Sequence, residues 1–167
     1  GRAVFEVSTE QNATTGVVSY ELNQLRTIDP VRTATSYDLN SSSPGNYTNE
    51  LDFSGLTVTS SGTTVNVAQG KMGVDNPQIS KYQSLTFSFD ETTSQFSVGL
   101  VDFDDDDDKF KYEIRDASGA IIASGEHKSA DGVNFSYTSN QPFSSVTIIG
   151  NGKDGETFSV NTNNDLK

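Results

Sequence analysis

A run of acidic residues is the part of the chain in which residue type and spacing most clearly suggest chemistry. It extends from Asp102 to Asp108, is interrupted only by Phe103, and is followed by Lys109. Carboxylate oxygens are preferred ligands of Ca²⁺, and about six to eight oxygens surround one ion. Without a cation, close carboxylates repel one another by about 1 kcal/mol per pair even in water. The run therefore predicts a calcium site.

The local pattern places this run in a loop between two β-strands. Apolar and polar residues alternate before it, from Phe96, and after it, from Phe110, as they do in half-buried strands. A helix-loop-helix calcium loop would need glycine at Asp107 and helices on both sides, so we do not expect that motif. Alternate residues of an extended loop point the same way. The predicted metal ligands in the run are Asp102, Asp104, Asp105, Asp106 and Asp108.

Two other interpretations of the run stay open beside metal binding. The first is an acidic turn that is solvated by water alone. The second rests on the string Asp105–Lys109, which is the recognition sequence of enteropeptidase and is used as a protease tag. Such tags stand at chain ends, whereas this string lies inside an apolar pattern, so the sequence favours metal binding.

A second loop offers further oxygen ligands. The segment Gly70–Pro77 is rich in glycine, aspartate and asparagine and precedes a strand-like pattern. Glycine lets the backbone approach a ligand closely, and the side chains of Asp75 and Asn76 carry oxygen atoms of the kind that calcium binds. We therefore expect Asp75 and Asn76 to join the metal site, while an ordinary turn accounts for the segment equally well.

Composition excludes several classes of function. The chain has 167 residues, of which 23 are acidic and 11 basic, a formal net charge of −12, no cysteine and one histidine. The absence of cysteine excludes thiol enzymes, disulfide scaffolds and thiolate zinc sites. The net charge would repel the phosphates of a nucleic acid. No apolar run approaches the length that crosses a membrane as a helix, so membrane insertion is not expected.

We expect no enzymatic activity. The chain lacks the Gly-x-Ser-x-Gly pattern of a nucleophile elbow, and His127 has no evident partner, as is usual for a surface histidine. Hydrolysis of a glycoside would need paired carboxylates on strands, and the strand-adjacent glutamates of the acidic half are Glu113 and Glu126. The residue types present therefore favour a binding protein.

The apolar pattern has a period of two almost throughout, which is typical of β-strands. Leu85–Phe89 and Phe96–Leu100 are examples. We expect Ser60–Thr63 to be the loop of a hairpin, because its composition is that of a turn. Roughly ten to twelve short strands predict an all-β protein, an antiparallel β-sandwich of jelly-roll type with calcium-binding loops.

The length of the chain predicts a single domain. We expect one β-sandwich ligand-binding domain over residues 1–162 and a C-terminal linker over residues 163–167. A long loop is expected over residues 23–50, which contain few apolar residues. The negative charge is concentrated in residues 84–167, which hold 15 acidic and 6 basic residues.

Four segments carry a family likeness. Residues Gly73–Asp90, Phe96–Leu100, Tyr112–Gly119 and Val146–Val160 resemble, in their order of strand and turn patterns, the ligand-binding β-sandwich domains near the C-terminal end of giant bacterial RTX adhesins. Those adhesins leave the cell by type I secretion. The likeness covers about residues 50–165.

Within that group, the chain looks most like the peptide-binding domain, which holds several calcium ions and uses one of them to engage a protein ligand. A sister class in the same adhesins binds glycans through calcium. The resemblance implies an extracellular location at the cell surface, adhesion to host or neighbouring cells, and a role in biofilm. It also implies a monomeric domain within a long multidomain chain.

Together, these observations predict a calcium-dependent adhesion module of a bacterial surface adhesin. A Ca²⁺ ion in the acidic loop would bind a peptide or protein ligand, and the residues expected to contact that ligand are Asp104, Asp106, Tyr82 and Tyr47. A calcium-dependent, lectin-like carbohydrate-binding domain of the same kind of adhesin is the alternative. A spacer that calcium merely stiffens is a third hypothesis.

Overall fold

The computed structural model divides into two compact units, residues 1–33 and 34–167. The first unit contains an antiparallel pair of strands, β1 (Phe5–Gln11) and β2 (Val18–Gln24). The boundary between the units falls inside the range 1–162, for which the sequence predicts one domain. The residues that the structure describes are 5–11, 18–24, 36–163 and 166.

The second unit is built from strands whose residues alternate between the core and the surface. In the fourth strand of the chain, for example, Leu56 and Val58 are buried and Thr57 between them is partly exposed, as the period-two pattern requires. Two short 3₁₀ helices, Leu39–Ser41 and Ser129–Asp131, are the only helical segments among the described residues. The strands of this unit are β3 (Gly45–Phe53), β4 (Leu56–Ala68), β5 (Lys71–Val74), β6 (Ile79–Ser80), β7 (Ser84–Val101), β8 (Lys109–Arg115), β9 (Ile121–Lys128), β10 (Asn134–Gly150) and β11 (Thr157–Asn161).

These strands form one antiparallel sheet that closes on itself. Their order is β3-β4-β5-β11-β7-β10-β8-β9, and β6 pairs with β11. The first half of β4 pairs with β7, from Leu56 opposite Phe89 to Ser60 opposite Leu85, whereas its second half pairs with β5. Because β7 also pairs with β11, the strands β4, β5, β11 and β7 make a closed ring. The predicted all-β, antiparallel, sandwich-like fold is confirmed.

The prediction of separate short strands is wrong for the three longest elements. Ser60–Thr63 is not a hairpin loop but the middle of β4, which has 13 residues, and β7 and β10 have 18 and 17. Polar stretches within these strands interrupt the alternation and so resemble turns. In β4 the N–H groups of Thr63 and Thr64 donate to Asp75 Oδ1, at 2.7 and 2.8 Å. The backbone of that stretch is therefore satisfied without a reversal of the chain.

Two segments predicted to be irregular are partly ordered. β3 begins at Gly45, so the end of the predicted loop 23–50 is a strand, while residues 25–35 lie outside the described part. In the predicted linker, Leu166 is 1% exposed, and it exchanges backbone hydrogen bonds of 2.8 and 3.0 Å with Tyr37. Leu166 therefore belongs to the packed unit and not to a linker.

Aromatic side chains form the part of the core on which the acidic loop rests. Phe103 is 1% exposed, and its ring centroid lies 5.7 Å from that of Phe110 and 5.4 Å from that of Phe158. His127, expected at the surface, is half-buried and stacks on Phe103, and its Nε2 lies 2.9 Å from Gly132 O. Burial of a Phe side chain contributes about 1.5–3 kcal/mol. Phe103 is therefore an anchor for the loop around it.

Candidate metal centre

The acidic run forms the connection between β7 and β8. β7 ends at Val101, and Asp102 then adopts a left-handed backbone conformation with φ 55°, which aspartate tolerates better than most residues. Asp108 N–H donates to Asp105 O at 2.9 Å, so the chain makes a tight turn before β8 begins at Lys109. The loop is therefore turned, not extended.

Three carboxylates converge in this turned loop. Each of Asp104, Asp105 and Asp108 places one carboxylate oxygen within 4.8 Å of the corresponding oxygens of the other two. Asp108 is 3% exposed, whereas Asp104 and Asp105 are exposed. The turn that joins Asp105 to Asp108 brings residues three positions apart together, and this is why these carboxylates meet. The group consists entirely of hard oxygen donors and is open to solvent on one side.

Asp108 also organises the backbone of the loop. Its Oδ2 accepts the N–H groups of Asp104 and Asp105, each at 3.1 Å, and its carbonyl oxygen accepts the N–H of Ser129 at 3.0 Å. Hydrogen bonds to an ionised acceptor are stronger than neutral ones. The backbone that carries Asp104 and Asp105 is thus held by the same residue that contributes the buried carboxylate.

The electrostatics of Asp108 fit a bound cation. Burial raises the pKa of the Asp108 carboxyl above its usual 3.8; the N–H groups of Asp105 and Asp104 oppose that rise, and the negative charges of Asp105 and Asp104 add to it. The ionised form of the Asp108 carboxyl is therefore destabilised in the folded protein. A divalent cation among the three carboxylates would remove that cost, and oxygen-only donors suit Ca²⁺ or Mg²⁺.

The two other ligands predicted in the run do not belong to this group. Asp102 forms an ion pair with Lys71, with Nζ and Oδ2 2.5 Å apart. Asp106 is exposed at the tip of the turn and lies outside the group of three carboxylates. Asp107, which was not predicted, forms an ion pair with Lys153.

Asp75 and Asn76 make hydrogen bonds within their own part of the fold. Asp75 Oδ1 accepts the two β4 amides described above, and Asn76 Oδ1 accepts the N–H of Gln78 at 2.9 Å. Neither residue belongs to the carboxylate group. Their residue types satisfy a strand and a turn, which is the alternative that the sequence leaves open for this segment.

The two predicted aromatic contacts differ in their surroundings. Tyr82 is 76% exposed. Tyr47 is half-buried against the core, and its hydroxyl donates to Ser43 O at 2.5 Å. Tyr82 is thus free to contact a partner, whereas the ring of Tyr47 is used in packing.

Sequence reasoning missed the loop over residues 150–156 as a neighbour of the acidic loop. Asn151 N–H donates to Lys109 O at 3.0 Å, and Lys153 makes the ion pair with Asp107. Asn151 Nδ2 also donates to Glu126 Oε2 at 2.8 Å. The composition of this segment indicates a turn but not which loop it contacts, because its contacts with Asp107 and Lys109 join residues more than forty positions apart.

Comparison with known proteins does not identify a family. No model of a known protein family matches the chain, and no curated protein matches it. None of the described residues forms a helix that is long and apolar enough to span a membrane.

Proposed function

We propose that this protein is a calcium-dependent adhesion module that binds a peptide or protein ligand outside the cell. The observation that carries the proposal is the convergence of the Asp104, Asp105 and Asp108 carboxylates, one of them buried, on a rigid loop. Calcium is the proposed ion, because it accepts oxygen ligands in larger and more variable number than magnesium does, and these three carboxylates leave the rest of the coordination shell to solvent.

Three protein carboxylates leave part of a calcium coordination shell to other oxygens. Ca²⁺ takes about six to eight oxygen ligands, and Asp104 and Asp105 stand at the surface, so the remaining positions of the ion would face solvent. A carboxylate of a partner protein, such as a C-terminal one, would replace water there. The ion thereby provides the positive charge that this acidic surface lacks.

Two further features support an extracellular adhesin as the setting. The segments that resemble ligand-binding domains of RTX adhesins overlap β5 to β8, β10 and β11, so the likeness includes parts of the strands that flank the acidic loop. Millimolar calcium outside cells suits sites of modest affinity such as those of extracellular modules. These features support the cell surface as the proposed location and adhesion as the proposed role.

A binding screen with and without calcium tests this function. The protein is exposed to arrays of peptides with free C-termini and of glycans, in calcium and in EDTA. The proposal predicts peptide hits that are lost in EDTA. Glycan hits lost in EDTA would replace the peptide partner by the lectin-like alternative, and hits that persist in EDTA would contradict a role of calcium.

A matched pair of variants shows whether the carboxylate group carries the binding. Asp104→Asn and Asp106→Asn remove the same charge from the same loop, but only Asp104 belongs to the group. We expect Asp104→Asn to lose the calcium-dependent hits and Asp106→Asn to keep them. Equal loss in both variants would attribute the binding to the net charge of the loop.

A further inference from the structure

Tyr82 is an exposed aromatic residue in an unfavourable backbone conformation. Its accessible fraction of 76% is the highest among the large hydrophobic residues that the structure describes. Its φ is 68°, in the left-handed region that bulky residues rarely occupy. Neither feature stabilises the folded domain. A contact outside the domain would explain why an aromatic residue stands there.

The backbone around Tyr82 is nevertheless fixed. Tyr82 is the third residue of a turn that Gln83 N–H closes by donating to Ser80 O at 3.0 Å. Tyr82 N–H donates to Gly150 O, and Gly150 N–H donates to Gln83 O, both at 2.9 Å. A Cβ atom on Gly150 would collide with Ser80 O, so glycine allows β10 to lie this close. The turn therefore presents the ring from a rigid position.

The Tyr82 turn adjoins the acidic loop. Lys81 and Asp108 line the same small cleft, and Lys81 Nζ lies over one face of the Tyr82 ring, 5.3 Å from its centroid. Lys81 donates to Asp154 at 2.9 Å, and the side chain of Asp154 is 91% exposed. The charge of Lys81 is thus paired, and the carboxylate of Asp154 stays accessible to solvent.

The surface formed by these loops is strongly acidic. The segments 79–83, 102–109 and 150–156 carry eight carboxylates and three lysines, an excess of five negative charges. One bound Ca²⁺ ion would reduce that excess to three. A cationic partner is therefore attracted to this surface even when the metal site is filled.

We propose that an arginine side chain of the peptide partner stacks on the face of the Tyr82 ring that Lys81 leaves open. A guanidinium group over an aromatic face is attracted by the ring quadrupole, and its planar shape suits stacking better than an ammonium group does. The exposed carboxylate of Asp154, which pairs with Lys81, adds to the negative charge that attracts such a group. This inference rests on the proposed function, because it specifies the chemistry of the peptide partner next to the calcium-bearing loop.

Nuclear magnetic resonance titration with defined peptides tests the stacking. The calcium-saturated protein is titrated with acetyl-Gly-Gly-Arg-Gly-Gly-amide and with its citrulline analogue, which has nearly the same shape but no charge. We expect the arginine peptide, and not the citrulline peptide, to shift the Tyr82 ring signals. Equal binding of the two peptides, or shifts that avoid Tyr82, would overturn the proposal.

Two substitutions of Tyr82 distinguish the contribution of its ring from that of its backbone conformation. Tyr82→Phe keeps the ring and should keep the affinity for the arginine peptide. Tyr82→Asn should weaken it about two- to fivefold, the range of an exposed cation–π contact, and should raise the melting temperature, because Asn tolerates a positive φ. Val133→Ala, at a residue that is 48% exposed, should change neither quantity. Unchanged affinity in Tyr82→Asn would contradict the stacking.

Failure of the stacking proposal can be distinguished from failure of the proposed function. Tyr82→Asn should bind calcium as the wild-type protein does, because Tyr82 is not one of the three carboxylate residues. If the wild-type protein binds no calcium, the calcium account fails, and the same peptide titration in EDTA still decides whether arginine stacks on Tyr82.

Discussion

Asp108 is the residue that gives the acidic loop both its shape and its electrostatic cost. It holds the amides of Asp104 and Asp105 on one carboxylate oxygen, and only 3% of its surface is exposed. Its burial next to two like charges is unfavourable in the absence of a cation. A cation beside the three carboxylates would offset that cost.

Asp108→Asn is expected to stabilise the calcium-free protein at pH 7. Because burial raises the pKa of Asp108 above 3.8, the folded protein binds a proton more readily than the unfolded chain. The wild-type protein therefore gains stability from this residue as the pH falls from neutral through the raised pKa. The advantage of the variant should be largest at pH 7 and vanish near about pH 4. Urea unfolding in EDTA at several pH values measures it.

Saturating calcium should reverse the order of stability of the wild-type protein and Asp108→Asn, because asparagine lacks the negative charge that binds the ion. Asp108→Asn should then be the less stable protein at pH 7. A variant that is less stable than wild type at pH 7 in EDTA would show that the ionised carboxylate is already well compensated by its two backbone amides, and would contradict the electrostatic cost assigned to it.

The choice among the carboxylates of the loop shows what the sequence could and could not predict at this scale. The residue types predict an oxygen-donor site in this run, and Asp104, Asp105 and Asp108 are among the predicted ligands. The assumption of an extended loop favours alternate residues and so adds Asp102 and Asp106, which lie outside the group of three carboxylates. A single backbone hydrogen bond, from Asp108 to Asp105, changes the spacing of the converging residues from two to three.

At the scale of elements, β4 shows how a polar stretch continues as a strand. Asp75 lies beyond the strand but satisfies two of its amides, and its own N–H donates to Thr64 O at 3.0 Å. The residues in this contact are eleven and twelve positions apart. A Cβ atom at Gly62 would collide with the Asp75 carboxylate, so glycine is needed beside it. Local turn composition alone does not reveal such a partner.

Asp75→Ala is expected to destabilise the protein by about 1–3 kcal/mol, because two amides lose a charged acceptor and alanine tolerates the φ of 61° poorly. Its affinity for calcium should stay unchanged. Asp75→Asn, which keeps one acceptor oxygen and tolerates the conformation, should lose less stability. Urea unfolding and calcium calorimetry measure the two effects. A weaker calcium affinity in both variants would instead restore Asp75 as a metal ligand.

The acidic loop contains a protease recognition sequence whose cleavage reports local opening of the loop. Enteropeptidase would cut the string Asp105–Lys109 after Lys109, but Asp108 is buried there and the Lys109 carbonyl accepts a hydrogen bond from Asn151. Cleavage therefore requires local opening of the loop and of the start of β8. We expect cleavage to be slow in calcium and faster in EDTA, by about tenfold for each 1.4 kcal/mol that calcium adds to the closed loop.

The cleavage experiment has a direct control. Lys109→Gln removes the cleavage site and should abolish the product under both conditions, which confirms where the cut occurs. Digestion that proceeds at the same rate with calcium and with EDTA would show that no cation holds this loop closed.

For the whole molecule, the period-two pattern is sufficient to predict an all-β fold, because burial of alternate residues needs no knowledge of partners. Leu85–Phe89 and Phe96–Leu100 are both strand segments, as predicted. That they belong to one bent strand, β7, depends on pairing with β4, β10 and β11. Such pairing is set by contacts distant in sequence, and these also place the loop 150–156 beside the acidic loop.

The net charge of −12 takes on a more specific meaning with the structure. Several carboxylates are paired with lysines, as Asp102 is with Lys71 and Asp154 with Lys81. The group of Asp104, Asp105 and Asp108 is different, because one carboxylate oxygen of each lies within 4.8 Å of the others and Asp108 is buried. The acidity of the chain thus contains one local arrangement that a divalent ion would stabilise.

Calcium titration by calorimetry tests this central claim most directly. The account predicts that the wild-type protein binds calcium and that Asp104→Asn weakens this binding by about tenfold or more, since loss of 1.4 kcal/mol is already tenfold. Asp106→Asn should stay within about twofold of wild type, because small changes in screened surface charge have little effect. No calcium binding by the wild-type protein, or equal affinities of the wild type and Asp104→Asn, would contradict the account.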